Sequence, residues 1–184
     1  MAAPPFDPNG AVRFDLRSGS ASDSRGARLV LVPSAALESL GEAAPDALAQ
    51  IGTHIGRACG SRLASRLGGD GGVRAAQLEV VITHLAGELA IAGIGAVHIE
   101  RWGRAMVAIV SNPSVTSDVF VGAVLAGALS AASGRDVSAA ALGRAGGEAR
   151  YFLGAAPTAE RARGLVEEGK SYAEVVAILQ GGTS

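Results

Sequence analysis

The sequence predicts an α+β domain in which an antiparallel sheet packs against helices. Three observations lead there. Strand-like stretches arrive in adjacent pairs joined by short turns, as hairpins do and parallel crossovers do not. Between and before the pairs lie longer stretches with apolar residues at three- and four-residue steps. The chain has 184 residues, 48% of them hydrophobic, so one core of ordinary size can be built.

The elements follow in order. Residues 1–10, MAAPPFDPNG, are Pro-rich and expected to be disordered. In AVRFDLR, Val12, Phe14 and Leu16 alternate with Arg13, Asp15 and Arg17, which suits a short strand. SGSASDSRG reads as a polar linker, which places the domain start near Ala27. ARLVLVPS is a strand candidate closed by Pro33, with Ser34 as N-cap of a helix over AALESLGEA. A longer helix is expected from Pro45 to Leu67, its apolar set being Leu48, Ile51, Ile55, Cys59, Leu63 and Leu67. LGGDGG reads as an interhelical loop, followed by a helix from Ala75 to Ala92 with Leu78, Val81, Ile82, Leu85 and Leu89 on its buried face. GIGAVHIERWGRAMVAIVSNP reads as a hairpin turning at RWGR. Ser117 and Asp118 open an apolar helix to Ser133, and GRDVSAAALGRAGGEARYFLGA gives two more strands turning at RAGG. Beyond Pro157 come two short amphipathic helices, the second opened by a capping box of Ser171 with Glu174.

One helix contains a costly feature. In IGTHIGRACGSRLASRLGG, Gly52, Gly56 and Gly60 recur every fourth residue, and three helical glycines forfeit about 3 kcal/mol relative to alanine. A strip without side chains lets a second backbone approach closely. The later apolar helix carries a matching strip, Ala123, Gly127 and Ala131. Two such strips predict two helices crossing at short distance. Spacing does not say whether the two belong to one chain or to two.

Composition excludes several functions. The net charge is −1, with 16 basic and 17 acidic residues, so there is no electrostatic footprint for nucleic acid. Cys59 is the only cysteine, which rules out an internal disulfide and a cysteine-based zinc site and suits a reducing, cytoplasmic compartment. The N-terminus lacks a signal-peptide pattern. VFVGAVLAGALSAA is too short to span a bilayer, so no transmembrane segment is expected. His54, His84 and His98 show no ligand spacing, and no metal is expected. No serine sits in a nucleophile elbow. GGDGG does not follow a strand or end in a phosphate-loop lysine. No catalytic residue and no cofactor are assigned. Trp102 between Arg101 and Arg104 at the hairpin tip is either a recognition anchor or a ring folded back on the sheet. The tail stripe of Leu165, Val166, Tyr172, Val175, Val176 and Leu179 must be buried on its own domain or on a partner.

From Arg28 to Phe152 the chain resembles the 4-vinyl-reductase domain family and, through it, the small subunits of the TRAPP tethering complex. The resemblance rests on RLVLVPSAALESL, on the glycine-bearing helix ending Arg-Leu, on GIGAVHIE, and on FVGAVLAGALSAASGRDV. It implies a twisted antiparallel sheet against helices, and a dimer. Many bacterial members end with a cysteine, a glycine four residues on, and a second cysteine two residues before a phenylalanine. Here those positions hold Leu142, Gly146 and Arg150, before Phe152. The resemblance therefore does not carry a thiolate-dependent metal or ligand role over to this chain. TRAPP subunits can carry a buried acylated cysteine in the glycine-helix region, where Cys59 lies; a small buried hydrophobe is the plainer role for it.

The sequence thus divides into a flexible N-terminal segment (1–26), a 4-vinyl-reductase-like domain (27–156) and a helical tail (157–184). Its expected function is that of a non-catalytic, homodimeric scaffold or adaptor, or of a regulatory module for a small apolar ligand. The alternative, drawn from the family name, is an accessory enzyme or cofactor carrier in tetrapyrrole-type metabolism. Ligand or interface candidates are Gly52, Gly56, Gly60, Cys59, Trp102, Gly127, Tyr172 and Val176, with the C-terminal helices as the surface for a protein partner.

Overall fold

A computed structural model describes residues 5–102 and 105–181. Its element order is β1 (Val12–Asp15), β2 (Ser20–Asp23), β3 (Arg28–Leu29), α1 (Ser34–Ala43), α2 (Pro45–Arg66), α3 (Gly69–Ala75), α4 (Leu78–Ile91), β4 (Ala96–Trp102), β5 (Ala105–Ser111), α5 (Asp118–Ser133), β6 (Ser138–Ala145), β7 (Glu148–Gly154), α6 (Ala156–Glu167) and α7 (Tyr172–Gly181). Two antiparallel sheets result, a small one ordered β1-β2-β3 and a main one ordered β4-β5-β7-β6. The class is therefore α+β, as the hairpin pairing requires. Gly103 and Arg104, from the RWGR turn, and residues 1–4 and 182–184 lie outside the described residues.

The main sheet is covered on both faces, and period-two alternation shows how. On β5, Met106, Ala108 and Val110 face one core with α2, α4 and α5; Ala105, Val107 and Ile109 face a second core with α6 and α7. On β7, Ala149, Tyr151 and Leu153 take the first side and Phe152 the second. Double coverage explains the unbroken apolar run AMVAIV. β4, the edge strand, buries only Val97 and Ile99 and leaves His98 exposed. Opposite it, β6 has a register shift between Ala141 and Gly143, where Gly143 takes a φ of 127°.

The glycine strip of α2 and the small-residue strip of α5 meet inside one chain. A methyl placed on Gly52 would lie 2.8 Å from the Phe120 carbonyl oxygen. One on Gly56 would overlap the Val124 carbonyl oxygen and lie 2.9 Å from the Ala128 amide nitrogen, and one on Gly60 would overlap the Ala128 carbonyl oxygen. From the other side, one on Gly127 would lie 2.7 Å from the Thr53 carbonyl oxygen. α2 thus offers every fourth residue to the α5 backbone, and α5 offers Gly127 to that of α2. Ser117 N-caps α5 by accepting from the Phe120 amide, and Gly134 closes it with a left-handed φ of 66°.

Five local expectations are corrected. The polar stretch taken as a linker contains β2, because Asp23 accepts from the Arg25 and Ala27 amides and folds the chain into a tight turn. The strand expected over ARLVLVPS pairs only at Arg28 and Leu29; Val30, Leu31 and Val32 continue exposed. Ser34 is the first helical residue, the cap position falling on Pro33 without a side-chain hydrogen bond. The glycines after Leu67 form the short helix α3 instead of a loop, entered through left-handed Gly68. Leu78 is exposed, since α4 starts there and its first turn overhangs the core. The capping box forms as read, with the Ser171 amide donating to Glu174 and the Glu174 amide to the Ser171 hydroxyl.

Candidate functional site

Helix α2 has two working faces. The glycines touch α5. Cys59, Arg62, Leu63 and Arg66, on the neighbouring stripe, turn towards α4, whose Glu88 is 1% exposed. The Arg62 Nε donates to Glu88 Oε2 at 2.6 Å and the Arg66 Nε to Glu88 Oε1 at 2.8 Å. Arg62 also faces Asp23 of β2 at 3.7 Å, and Asp23 is buried. Arg25, partly exposed, approaches Asp23 as well at 3.8 Å, so two buried carboxylates are shared among three guanidinium groups. Unpaired, either carboxylate would cost several kcal/mol. Burial works against the charge on Arg62, yet the hydrogen bond to Glu88 and the attraction of the neighbouring carboxylates hold its pKa above the ordinary arginine value.

Cys59 lies against this set, fully buried. Its Sγ accepts from Arg62 Nη2 at 3.3 Å and faces the Glu88 carbonyl oxygen at 3.7 Å. Burial pushes the thiol up to about 11, against the pull of Arg62. At neutral pH it is a protonated thiol, a poor nucleophile and a poor metal ligand.

Beside the charges sits an aromatic ring from the far N-terminal end. Half-buried Phe6 stacks edge-on against His84 of α4 (5.7 Å between centroids, 82° between planes), and the Arg66 guanidinium lies 5.1 Å from its centroid. The ring presses so closely on Gly87 that a methyl there would overlap it. Arg66 Nη1 also reaches the Asp7 carbonyl oxygen at 3.4 Å. No motif announced this site: its members are spread over Phe6, Asp23, α2 and α4, and the available signal was an Arg62/Arg66 pair one helical turn apart on the apolar side of a helix.

Other polar contacts have structural work to do. The buried Tyr151 hydroxyl donates to Asp118 at 2.7 Å, and Arg144 donates to the same carboxylate at 2.7 Å and to the Thr116 carbonyl oxygen. Burial and the Asp118 carboxylate raise the Tyr151 pKa, so the phenol stays neutral. This ties the start of α5 to the sheet. At the hairpin tip, Trp102 is 44% exposed; its Nε1 donates to Glu100 at 2.8 Å and its ring meets Tyr172 edge-on at 6.3 Å. Arg150 lies over the Tyr172 ring at 5.5 Å.

The candidate residues therefore fall into four places. Gly52, Gly56, Gly60 and Gly127 form the α2–α5 crossing. Cys59 joins the buried charges, and Val176 is buried with Val175 against β5 and β6, so the tail stripe is covered by its own chain. Trp102 and Tyr172 share a surface. The histidines do not meet: His54 and His98 are exposed on α2 and β4, and His84 is buried on α4. Among the described residues no group of three or more His, Cys, Asp or Glu is placed to hold a metal ion, and no helix is long and apolar enough to cross a membrane. The small sheet carries an exposed apolar patch, with Leu16 at 92% and Val30 at 85%, beside an open depression of about 260 Å³ lined in part by Phe14, Leu29 and Leu31.

No protein-family model and no curated protein sequence matches the chain. Among solved structures it is similar to the phenol-responsive sensory domain of the transcription activator PoxR, solved with phenol, at a TM-score of 0.57 and 17% identity over 78% of this chain and 84% of that one. What the two chains share, at that identity, is the α+β fold.

Proposed function

We propose that this protein is a non-catalytic regulatory module that binds a small apolar ligand, working as a cytoplasmic homodimer. The observation that carries the reading is the fold held in common with a ligand-responsive sensory domain across 78% of the chain. The site chemistry supports it. The one thiol is locked in its protonated form, and the buried carboxylates are committed to arginines, so the polar groups at hand serve to orient rather than to react. A ring-sized seat on α4 suits an apolar ligand.

In this reading residues 1–26 form an N-terminal segment, 27–156 the ligand-binding body and 157–184 a tail. The exposed patch of Phe14, Leu16 and Val30–Val32, next to a strand that pairs over two residues only, is the surface we assign to the second copy. Trp102 and Tyr172 are the candidates with surface to offer another protein. A scaffolding role and kinship with the TRAPP subunits are further parts of the proposal. A lone buried thiol suits a reducing compartment.

Native mass spectrometry of freshly purified full-length protein tests the reading. We expect a dimer mass and either a retained small molecule or a melting temperature raised by members of a panel of phenol, toluene, indole and medium-chain alcohols. A monomer whose melting no member of the panel moves would overturn it.

A further inference from the structure

We infer that the seat filled by Phe6 is a binding site for a monocyclic arene, with Phe6 as its built-in competitor. The inference rests on the proposed ligand-binding function and gives that function a place. The seat has three walls. Gly87 supplies a flat one, since a methyl at that position would overlap the Phe6 ring. His84 meets the ring edge-on, and Arg66 presents a cation to it 5.1 Å from the centroid. A glycine in the second half of α4 weakens the helix relative to alanine, and the Phe6 ring is what it makes room for.

The walls do not depend on Phe6 for their positions. Arg66 is held by Glu88 at 2.8 Å, and Glu88 is held in turn by Arg62 at 2.6 Å. His84 and Gly87 lie within one turn of the same helix. The ring, by contrast, arrives on a short arm. Among the described residues, the hydrogen bond that ties residues 5–10 to the helices is the long one, 3.4 Å, from Arg66 to the Asp7 carbonyl oxygen. A free arene of the same size therefore meets a preformed seat and competes with a weakly tethered side chain. Occupation lifts the arm, which runs directly into β1 and the exposed patch assigned to the second copy. Ligand binding and assembly are coupled through that displacement.

Toluene, the free counterpart of the Phe6 side chain, is the probe, used on full-length wild type and on the variants Phe6→Ala, Gly87→Ala and Phe6→Ala/Gly87→Ala. A resident competitor weakens apparent affinity by the fraction of time the seat stands empty, so Phe6→Ala should bind toluene roughly tenfold tighter than wild type. The added methyl in Phe6→Ala/Gly87→Ala should abolish that gain. Gly87→Ala alone should keep a cooperative melt while amide exchange in residues 5–15 rises, because the ring can swing out and the helix cannot be harmed by alanine. In wild type, saturating toluene should raise exchange in the same residues, which reads the event without any substitution. Equal toluene affinity in all four proteins would overturn the seat while leaving apolar ligand binding intact elsewhere. Absence of toluene binding to Phe6→Ala would overturn it as well, and the ligand panel then decides the broader reading by itself.

Discussion

Gly56→Ala is the sharpest probe of the helix crossing. The new methyl overlaps the Val124 carbonyl oxygen and lies 2.9 Å from the Ala128 amide nitrogen, where ordinary contact begins at 3.4 Å. Neither neighbour can rotate away, because both are backbone. The overlap with the Val124 oxygen is the larger of the two, so α2 and α5 must part by about 1 Å, a gap that forfeits up to half of the dispersion energy along the seam. Overpacking of this kind costs about 3 kcal/mol at the upper end of its usual range, and alanine returns roughly 1 kcal/mol of helix propensity. The net loss is about 2 kcal/mol, or roughly 4–8 °C in melting temperature for a chain of this size. Gly164→Ala in α6 is the control: nothing beyond its own helix backbone and chain neighbours lies within 4 Å of its new methyl, so it should gain roughly 0.5–1 kcal/mol. Urea unfolding followed by circular dichroism measures both. A Gly56→Ala midpoint at or above wild type, with Gly164→Ala behaving as stated, would refute the crossing.

Glu88→Ala takes from Arg66 its carboxylate partner and leaves Arg62 with Asp23 alone, and should cost about 3 kcal/mol in urea unfolding, with Glu88→Leu/Arg62→Met recovering much of that loss. Tyr151→Phe removes a hydrogen bond to a carboxylate that keeps Arg144, and a loss of about 1–2 kcal/mol is expected by the same assay. The Cys59 thiol has its folded pKa raised from 9.0 to about 11, so burial favours the neutral form; the stability this contributes is fully present below pH 9 and is lost as pH rises from there through 11. Wild type should show that alkaline decline more steeply than Cys59→Ala, and native protein at pH 8 should react with an aromatic disulfide reagent far more slowly than unfolded protein. Val176→Asp places a charge between α7 and the sheet, and limited proteolysis should then cut near Lys170 before the body is touched.

Local pattern carried a large share of the architecture because its causes are local. Hairpin pairing of β4 with β5 and β6 with β7 follows from apolar runs a few residues apart in sequence, and the antiparallel class follows from that. The two small-residue strips were legible for the same reason: a side chain that is absent every fourth residue marks one face of a helix whatever surrounds it. The Ser171–Glu174 box is likewise settled within four residues. Tertiary structure decided the rest. Spacing could not name the partner of the glycine strip; it is α5, some 60–70 residues further along the same chain. β2 escaped notice because Ser, Ala and Asp have weak strand preference, and only pairing to β1 and β3 makes them a strand. The Phe6 seat and the Arg62–Glu88–Arg66 set join residues that stand more than twenty positions apart, and their attraction exists only once water has been expelled from between α2 and α4. Sequence periodicity records which face of an element is apolar; it does not record what that face will meet.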